Sequence, residues 1–420
     1  MEREGRVSQR KTSAAERNRM VDLKLDGYSL REVSEQTGWS FECVRKWWRC
    51  FRKDGRKALT GNRRGKKPTG PMSTFPGVVR FAFLRIKKMH PGWGADVARL
   101  RVAQRLGAAE TSLPCVSTIE KYWAQFAERL YQRYRKRYPV AKRGRSDKPR
   151  EPHERWQADF KERIRVKGLA QKVDVLNIRD EATPVKIGSF VYPTGKSTGR
   201  DMQEAFRQAF ERWGLCDRIQ TDRDKRVVCN KHAHPFPTPF VLWLAGLGIA
   251  HDIAPSAPEN GCTERFNRTW YERVVLGRTV TSLEALQKIS NEELRLMNCQ
   301  LPSKGRACAG RSPLAAYPQA QQPKRVYSRE KEGQIFSLQR VYDYLSTLFW
   351  WRRVSVSGQF TLGDQRYGLG NAWIGQDVRI TFAADKAFFL VEDDQGQFIK
   401  SVQPKNLSVA YITGIDPDPD

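Results

Sequence analysis

Apolar residues in the first part of the chain recur at three- and four-residue steps, the period of an amphipathic helix. Met20, Leu23, Leu25 and Leu30 lead into Val33, and after Gly38 the series resumes at Val44, Trp47 and Trp48. Gly38 permits the left-handed backbone of a tight turn, and Ser40 is a good N-cap for the helix that follows. The pattern predicts a helix-turn-helix over residues 14–54. Its second helix would face a DNA major groove with Arg45, Lys46, Arg49, Arg52 and Lys53, able to meet phosphates or guanine edges. The competing reading is a plain helical hairpin with a basic solvated face. A second helical unit is predicted over residues 76–138. Val79, Phe83, Ile86 and Met89 form one stripe, and Val97, Leu100 and Val102 another. A turn at His90-Pro91-Gly92-Trp93-Gly94 separates them, and a third helix opens after Pro114 and carries Lys121. It suits a DNA-reading module less clearly than the first.

The pattern then changes. Trp156 to Phe160 reads as a short strand with Asp159 inside it, and residues 173–178 and 184–192 read as two β-branched strands. A helical stripe of Met202, Ala205, Phe206, Ala209 and Phe210 follows, then a strand over residues 218–222 ending in Asp222. An apolar helix at residues 240–247 and a strand at 249–255 precede a turn that enters a helix carrying Glu264. Strands alternating with helices in this way predict an α/β layered core over residues 153–318. Beyond it, aromatic residues cluster at 341–351. Short alternating runs separated every eight to ten residues by Gly or Asp-Gln-Gly then predict a small all-β barrel over residues 335–412. The fold class expected is therefore multidomain: N-terminal all-α helix-turn-helix units, a central α/β core and a C-terminal β barrel.

Charge sharpens this outline. The 420 residues carry 75 Lys and Arg against 46 acids, a net +29. Of this, +23 falls within residues 1–150. A polyanion-binding front half before a near-neutral remainder fits nucleic acid better than a generally basic protein. The segment 55–75 includes Arg63, Arg64, Lys66 and Lys67 among glycines with no apolar anchor. It reads as a basic arm that threads a minor groove, or equally as an unspecific tether. Residues 139–152 read as a second basic linker. Eight cysteines without a Cys-x-x-Cys pair argue for a reducing compartment. The longest apolar stretch, 240–250, is about half the length of a membrane span, and no leader is expected.

Three carboxylates at the ends of separate elements, Asp159, Asp222 and Glu264, are what a two-metal site needs. Mg²⁺ prefers hard carboxylate oxygens and keeps positions for water and phosphate oxygens, and two such ions serve phosphodiester chemistry. The series Trp156-Gln157-Ala158-Asp159, Gln220-Thr221-Asp222 and Asn260-Gly261-Cys262-Thr263-Glu264-Arg265-Phe266 resembles the D…D…E core of retroviral-integrase-like transposases from bacterial insertion sequences. The resemblance implies a ribonuclease-H-like fold and a DNA strand transferase. Asp159, Asp222 and Glu264 would be its catalytic residues and the ligands of two Mg²⁺ ions, with Mn²⁺ as a substitute. It further implies binding of double-stranded DNA at element ends and target, a homo-oligomer assembled on DNA, an ATPase helper protein as an optional partner, and a cytoplasmic, nucleoid-associated location. Arg265 and Arg268, following Glu264, would hold the DNA end.

Departures from the family pattern are as informative. Forty-one residues separate Asp222 from Glu264, more than the family's commonest spacing, and a loop over residues 227–235 accounts for the excess. Asp224 is a rival for Asp222, and Glu259 a rival for Glu264. Within that loop Cys229, His232 and His234 are spaced like half a metal site, with no fourth ligand evident. The His-His-Cys-Cys zinc module of some relatives is not matched, since only His90 and His153 precede Asp159. Where relatives often carry a cation seven positions past the glutamate, this chain has Tyr271. The segment from Gly310 to Tyr317 is similar to the turn that closes such cores. The β-rich region, with Val356-Ser357-Gly358-Gln359-Phe360-Thr361-Leu362, looks like the barrel that follows the core in the bacteriophage Mu transposase group. The alternative function is a transposase-derived DNA-binding regulator that no longer cuts; a plain nuclease is disfavoured.

Overall fold

The computed structural model describes residues 11–60, 70–126, 148–224, 226–228, 235–254, 261–303 and 306–415. The chain divides into two compact units at residues 76 and 77.

In the first unit, α1 (Ala14–Leu25) precedes the expected helix-turn-helix pair, α2 (Leu30–Thr37) and α3 (Phe41–Asp54). Their starts are specified locally. Ser13 with Glu16, and Ser29 with Glu32, make reciprocal capping boxes on α1 and α2. Gly38 ends α2 in the left-handed conformation at φ 69°, and the Ser40 hydroxyl accepts from the backbone N–H of Cys43 at the start of α3. Met20, Val33 and Val44, one from each helix, form the small core, with Leu23, Leu30, Trp39 and Trp47 packed around it. The segment expected to open the basic linker is instead folded at first. Gly55–Thr60 makes a 3₁₀ turn, buries Leu59 and receives the Arg17 guanidinium on its Leu59 carbonyl at 3.3 Å. The arm bearing Arg63, Arg64, Lys66 and Lys67 lies outside the described residues.

The second unit opens with α4 (Gly77–Met89), α5 (Ala95–Leu106) and α6 (Val116–Ala124). The Trp123 indole donates to the Phe83 carbonyl at 3.1 Å, closing α6 onto α4. A five-stranded mixed sheet follows, built from β1 (Arg155–Ile164), β2 (Val173–Asp180), β3 (Lys186–Pro193), β4 (Arg218–Thr221) and β5 (Ala250–Ile253) in the order β3-β2-β1-β4-β5. The first three strands are antiparallel, while β4 runs parallel to β1 and β5 parallel to β4. Helices α7 (Gly199–Trp213), α8 (Pro239–Gly246), α9 (Gly261–Trp270) and α10 (Leu283–Cys299) complete the α/β core. A π-helical turn, Tyr271–Val275, continues α9. This is the layered central core expected from the sequence.

Short helices α11 (Pro313–Ala316) and α12 (Glu332–Ile335) lead to α13 (Leu338–Ser346). The C-terminal β region comprises β6 (Phe349–Arg353), β7 (Gln359–Leu362), β8 (Gln365–Gly368), β9 (Asp377–Ala383), β10 (Phe388–Glu392) and β11 (Phe398–Val402), before α14 (Val409–Thr413). The β-rich region expected as a small barrel is all antiparallel and is arranged as one four-stranded sheet and one two-stranded sheet. One apolar cluster runs from Trp156, Phe206 and Phe210 through Phe240 and Trp243 to Trp350, Ile380 and Phe389. Phe236 bridges the halves, its ring centroid 5.2 Å from Trp350 and 6.0 Å from Phe389. The β region therefore shares its interior with the α/β core. Below α7, the buried Glu332 carboxylate accepts both Arg207 Nε and Nη2 at 2.8 Å and the Trp243 indole at 2.9 Å, so the added segment is tied in by charge as well as by apolar packing.

Candidate active site

Strand register decides the first two acids. In the parallel pair, Trp156 lies opposite Ile219 and Gln157 opposite Gln220. Continuing that register by two residues brings Asp159 level with Asp222, which stands one residue past the end of β4. Ligand sites in open α/β sheets lie outside the carboxyl ends of parallel strands, and Asp222 sits at such an end. On its other side β1 pairs with β2, placing Asn177 opposite Asp159.

Helix α9 crosses these strands and supplies the third acid. Thr263 donates to the Gln157 side-chain oxygen at 3.2 Å, and Asn267, one turn on, donates to Asp159 Oδ2 at 2.6 Å. The Asn267 oxygen accepts from Asn177 at 2.6 Å, and Asn177 accepts in turn from the Ser189 hydroxyl. Glu264 lies three residues before Asn267 on α9, and residues so spaced share a helix face. Its side chain is exposed, Asp159 is half-buried and Asp222 is exposed.

The three charges feel one another. The Asp159 carboxyl is pushed up to about 6, first by burial and then by the Asp222 charge; Glu264 adds to the rise, while the Asn267 hydrogen bond and Lys161 oppose it. Asp222 is also raised, by burial and by Asp224. Among the described residues, no three His, Cys, Asp or Glu side chains gather closely enough to hold a metal ion. The carboxylates are within electrostatic reach without forming a coordination sphere. Next to them His251 sits neutral on β5, held well below its ordinary value, at about 4, by burial. Its Nε2 is 3.0 Å from the Thr221 hydroxyl.

Asp224 has other company. Its Oδ2 accepts from Arg226 Nη1 at 2.6 Å and its Oδ1 from the Arg226 backbone N–H at 2.7 Å. Arg226 also reaches Glu162 at 2.8 Å, lies 4.0 Å from Asp174, and stacks over the Phe160 ring at 3.9 Å. Glu259, Cys229, His232 and His234 lie outside the described residues. Of the cations expected on DNA, Lys46, Arg49, Arg52 and Lys53 are exposed on α3, and Arg45 is half-buried and paired with Glu42 at 3.0 Å. Lys121 is exposed on α6. On α9, Arg265 is exposed, and Arg268 is exposed and bonds Glu272 at 3.0 Å. Sequence reasoning missed Asn267, Asn177 and Arg226. For Asn267 a signal existed, its i+3 spacing from Glu264; for Arg226 there was none, since its partners come from β1 and β2.

A helix-turn-helix domain model matches residues 16–67. No curated protein matches the chain. Among solved structures, the catalytic core domain of BIV integrase is 14% identical over 40% of this chain and 96% of that one, at a TM-score of 0.29. The HTLV-2 integrase catalytic core domain in complex with magnesium, in its dimeric form, is 19% identical over 38% and 96%, at 0.28. The simian T-cell lymphotropic virus intasome in complex with PP2A regulatory subunit B56 gamma is 15% identical over 63% and 84%, at 0.32. Likenesses this faint carry no argument about activity. What stands is a helix-turn-helix domain on the same chain as a mixed-sheet α/β core.

Proposed function

We propose that the protein is a DNA transposase of the insertion-sequence type. Its helical units bind the terminal inverted repeats of a mobile element, and its core frees a 3′-OH at each element end and joins it to target DNA. What supports the reading is that β1, the residue after β4 and α9 carry Asp159, Asp222 and Glu264, and that the Asp222 and Glu264 charges reach Asp159. Burial first, and then the Asp222 charge, raise the Asp159 carboxyl to about 6, as befits a half-buried acidic site. Its donors are carboxylate oxygens alone, which fits Mg²⁺, or Mn²⁺ in its place. Asp159, Asp222 and Glu264 would hold two such ions. Bound there, the ions would activate the attacking oxygen and stabilise the leaving oxygen of a phosphodiester.

The chain's own residues do the rest. Asn267 donates to Asp159, favouring its ionised form and fixing its orientation. Arg226 occupies Asp224 and leaves Asp222 as the acid at the strand end. Arg265 and Arg268, exposed one and four residues past Glu264, would contact DNA phosphates beside the scissile bond, while the exposed α3 cations read or grip the repeat. Joining two ends to one target needs two triads in fixed register, and each chain carries one, so the active form is a homo-oligomer assembled on DNA. Self-repulsion from +29 would hold free chains apart until DNA neutralises it.

The test uses duplexes taken from the DNA flanking the protein's own gene. Asp159→Asn, Asp222→Asn and Glu264→Gln should each lower Mg²⁺-dependent joining by more than about a hundredfold, beyond what loss of an outer-shell partner does, with duplex binding within a few-fold of wild type. Near-normal joining by any one of them would remove that residue from the site.

A further inference from the structure

The turn between β1 and β2, residues 165–172, carries Arg165, Lys167 and Lys172 and no acid. All three cations are exposed, and none is drawn into an ion pair with a described residue. The turn is pinned, not loose. The Val280 N–H donates to the Lys167 carbonyl at 2.8 Å. Gly168, at φ +96°, lies so close to the Val280 carbonyl that a Cβ has no room. Between the turn and the end of α9 lies a groove of about 560 Å³ lined by all three cations and by Tyr271. A second groove, of about 230 Å³, shares Arg165, Lys167 and Tyr271 and continues to Thr279. Tyr271 is 39% exposed. It opens the π turn seven residues past Glu264, about 10 Å along the helix.

Three cations on a pinned turn, without an ion pair to a described residue, an accessible aromatic ring and a volume within the range of about 300–1,000 Å³ for small-ligand pockets describe a particular guest. The space suits a nucleotide or two of a single strand. Aromatic rings facing a basic groove stack successive bases while cations follow the phosphates. We propose that this groove is a subsite for an unpaired DNA strand, with phosphates on Arg165, Lys167 and Lys172 and a base stacked on Tyr271. That the strand leads toward Glu264 rests on reading Asp159, Asp222 and Glu264 as the catalytic acids; the binding itself does not.

The experiment measures binding by the full-length protein, without divalent metal, so that no joining occurs. The probes are a blunt duplex and the same duplex with a short single-stranded extension carrying 2-aminopurine. Wild type should prefer the extended duplex and alter the 2-aminopurine emission. Tyr271→Ala should weaken the extended duplex by about fivefold to a hundredfold and leave the blunt one unchanged, whereas Tyr271→Phe keeps the preference. Replacing Arg165, Lys167 and Lys172 together with Ala should reduce the salt dependence of extended-duplex binding by about two units in log–log slope, three single-strand contacts at about 0.7 each. Equal binding of both duplexes by wild type and all variants would overturn the subsite. So would a charge variant that weakens both duplexes alike while Tyr271→Ala is silent, which would assign the cations to duplex phosphates. An acidic peptide that fills the groove without displacing the extension would overturn it too. Because all four side chains are exposed, unchanged melting temperatures are expected throughout. Failure of the catalytic reading shows separately, as joining that survives Asp159→Asn.

Discussion

Asp222 and Asp224 stand two positions apart, and the difference between them lies in Arg226. The side chain of Arg226 is 3% exposed and holds Asp224 and Glu162, with Asp174 at 4.0 Å. Removing one member of a buried charged group can cost about 3–5 kcal/mol. Here, however, Glu162 is 45% exposed and Asp174 keeps bonds from Arg163, Thr194 and Gly195, so the cost falls toward the lower end, about 2–3 kcal/mol. Arg226→Gln should therefore destabilise the protein by an amount of that order in urea unfolding. Arg226→Lys should fall between it and wild type, since an ammonium keeps the charge but not the fork or the stack on Phe160. A loss under about 1 kcal/mol for Arg226→Gln would mean that the cluster behaves as a surface ion pair. The types of these residues could be read in the sequence; their meeting could not, because Glu162, Asp174 and Arg226 come from three elements. Asn267 sits between the two cases. Its place on the Glu264 face was readable from helical spacing, but its bond to Asp159 depends on how α9 crosses β1.

Elements start and stop where local chemistry says. Ser13, Ser29 and Thr198 each close a capping box three residues ahead, and a helix boundary of that kind needs no tertiary contact. The turn between α4 and α5 shows the opposite. It was readable as a turn from His90-Pro91-Gly92-Trp93-Gly94, yet its surroundings come from the core. The Trp93 ring lies near the guanidinium groups of Arg101 and Arg278, 5.7 and 5.4 Å from its centroid, and His90 stacks on Trp93 at 4.0 Å. Burial first, and then the Arg278 charge, push His90 down to about 4. A folded value below the ordinary 6.5 means that the unfolded chain binds the proton more readily. This contribution is thus fully present above pH 6.5 and lost as pH falls toward 4. Because His90 is only half-buried, solvent screens part of this effect and the loss is smaller than the full shift would give. His90→Phe, which keeps a ring and removes the titration, should flatten the melting-temperature profile between pH 7 and 4. A variant profile parallel to wild type would show that His90 is not its source.

For the molecule as a whole, the boundary that matters lies at residue 76, well before the basic linker near 150. Glu293 on α10 is fully buried and accepts from Arg101 of α5 at 2.7 Å and from Arg278 at 2.6 Å. Gly277 packs against the Met89 carbonyl with no room for a side chain. Helices α4 to α6 are thus bound to the core by a buried charge and close backbone contact. Deleting residues 1–76 should leave the rest folding cooperatively with little change in melting temperature. Deleting residues 1–147 should destabilise what remains by several kcal/mol, because Glu293 loses one partner and Trp93 no longer covers Arg278. Equal melting temperatures for the two truncations would refute this. The charge excess over residues 1–150 suggested one DNA-binding half, but charge records partners in solution and not which helices share a core.

What the sequence determined on its own was everything governed by near neighbours. Helical and strand periods, the capping serines and Gly38 act over four residues or fewer, so the helix-turn-helix, the alternation of strands and helices, and the acids ending in Asp159, Asp222 and Glu264 stand out in the linear chain. Tertiary structure decided what depends on register and docking. The 63-residue offset that sets Gln157 beside Gln220, the reach of Asn267 to Asp159, the Arg226 cluster and the merging of the C-terminal sheets with the core through Phe236 all join positions far apart in sequence. Such contacts form because apolar faces and buried charges must find partners wherever the folded chain offers them, and no local pattern encodes which partner that will be.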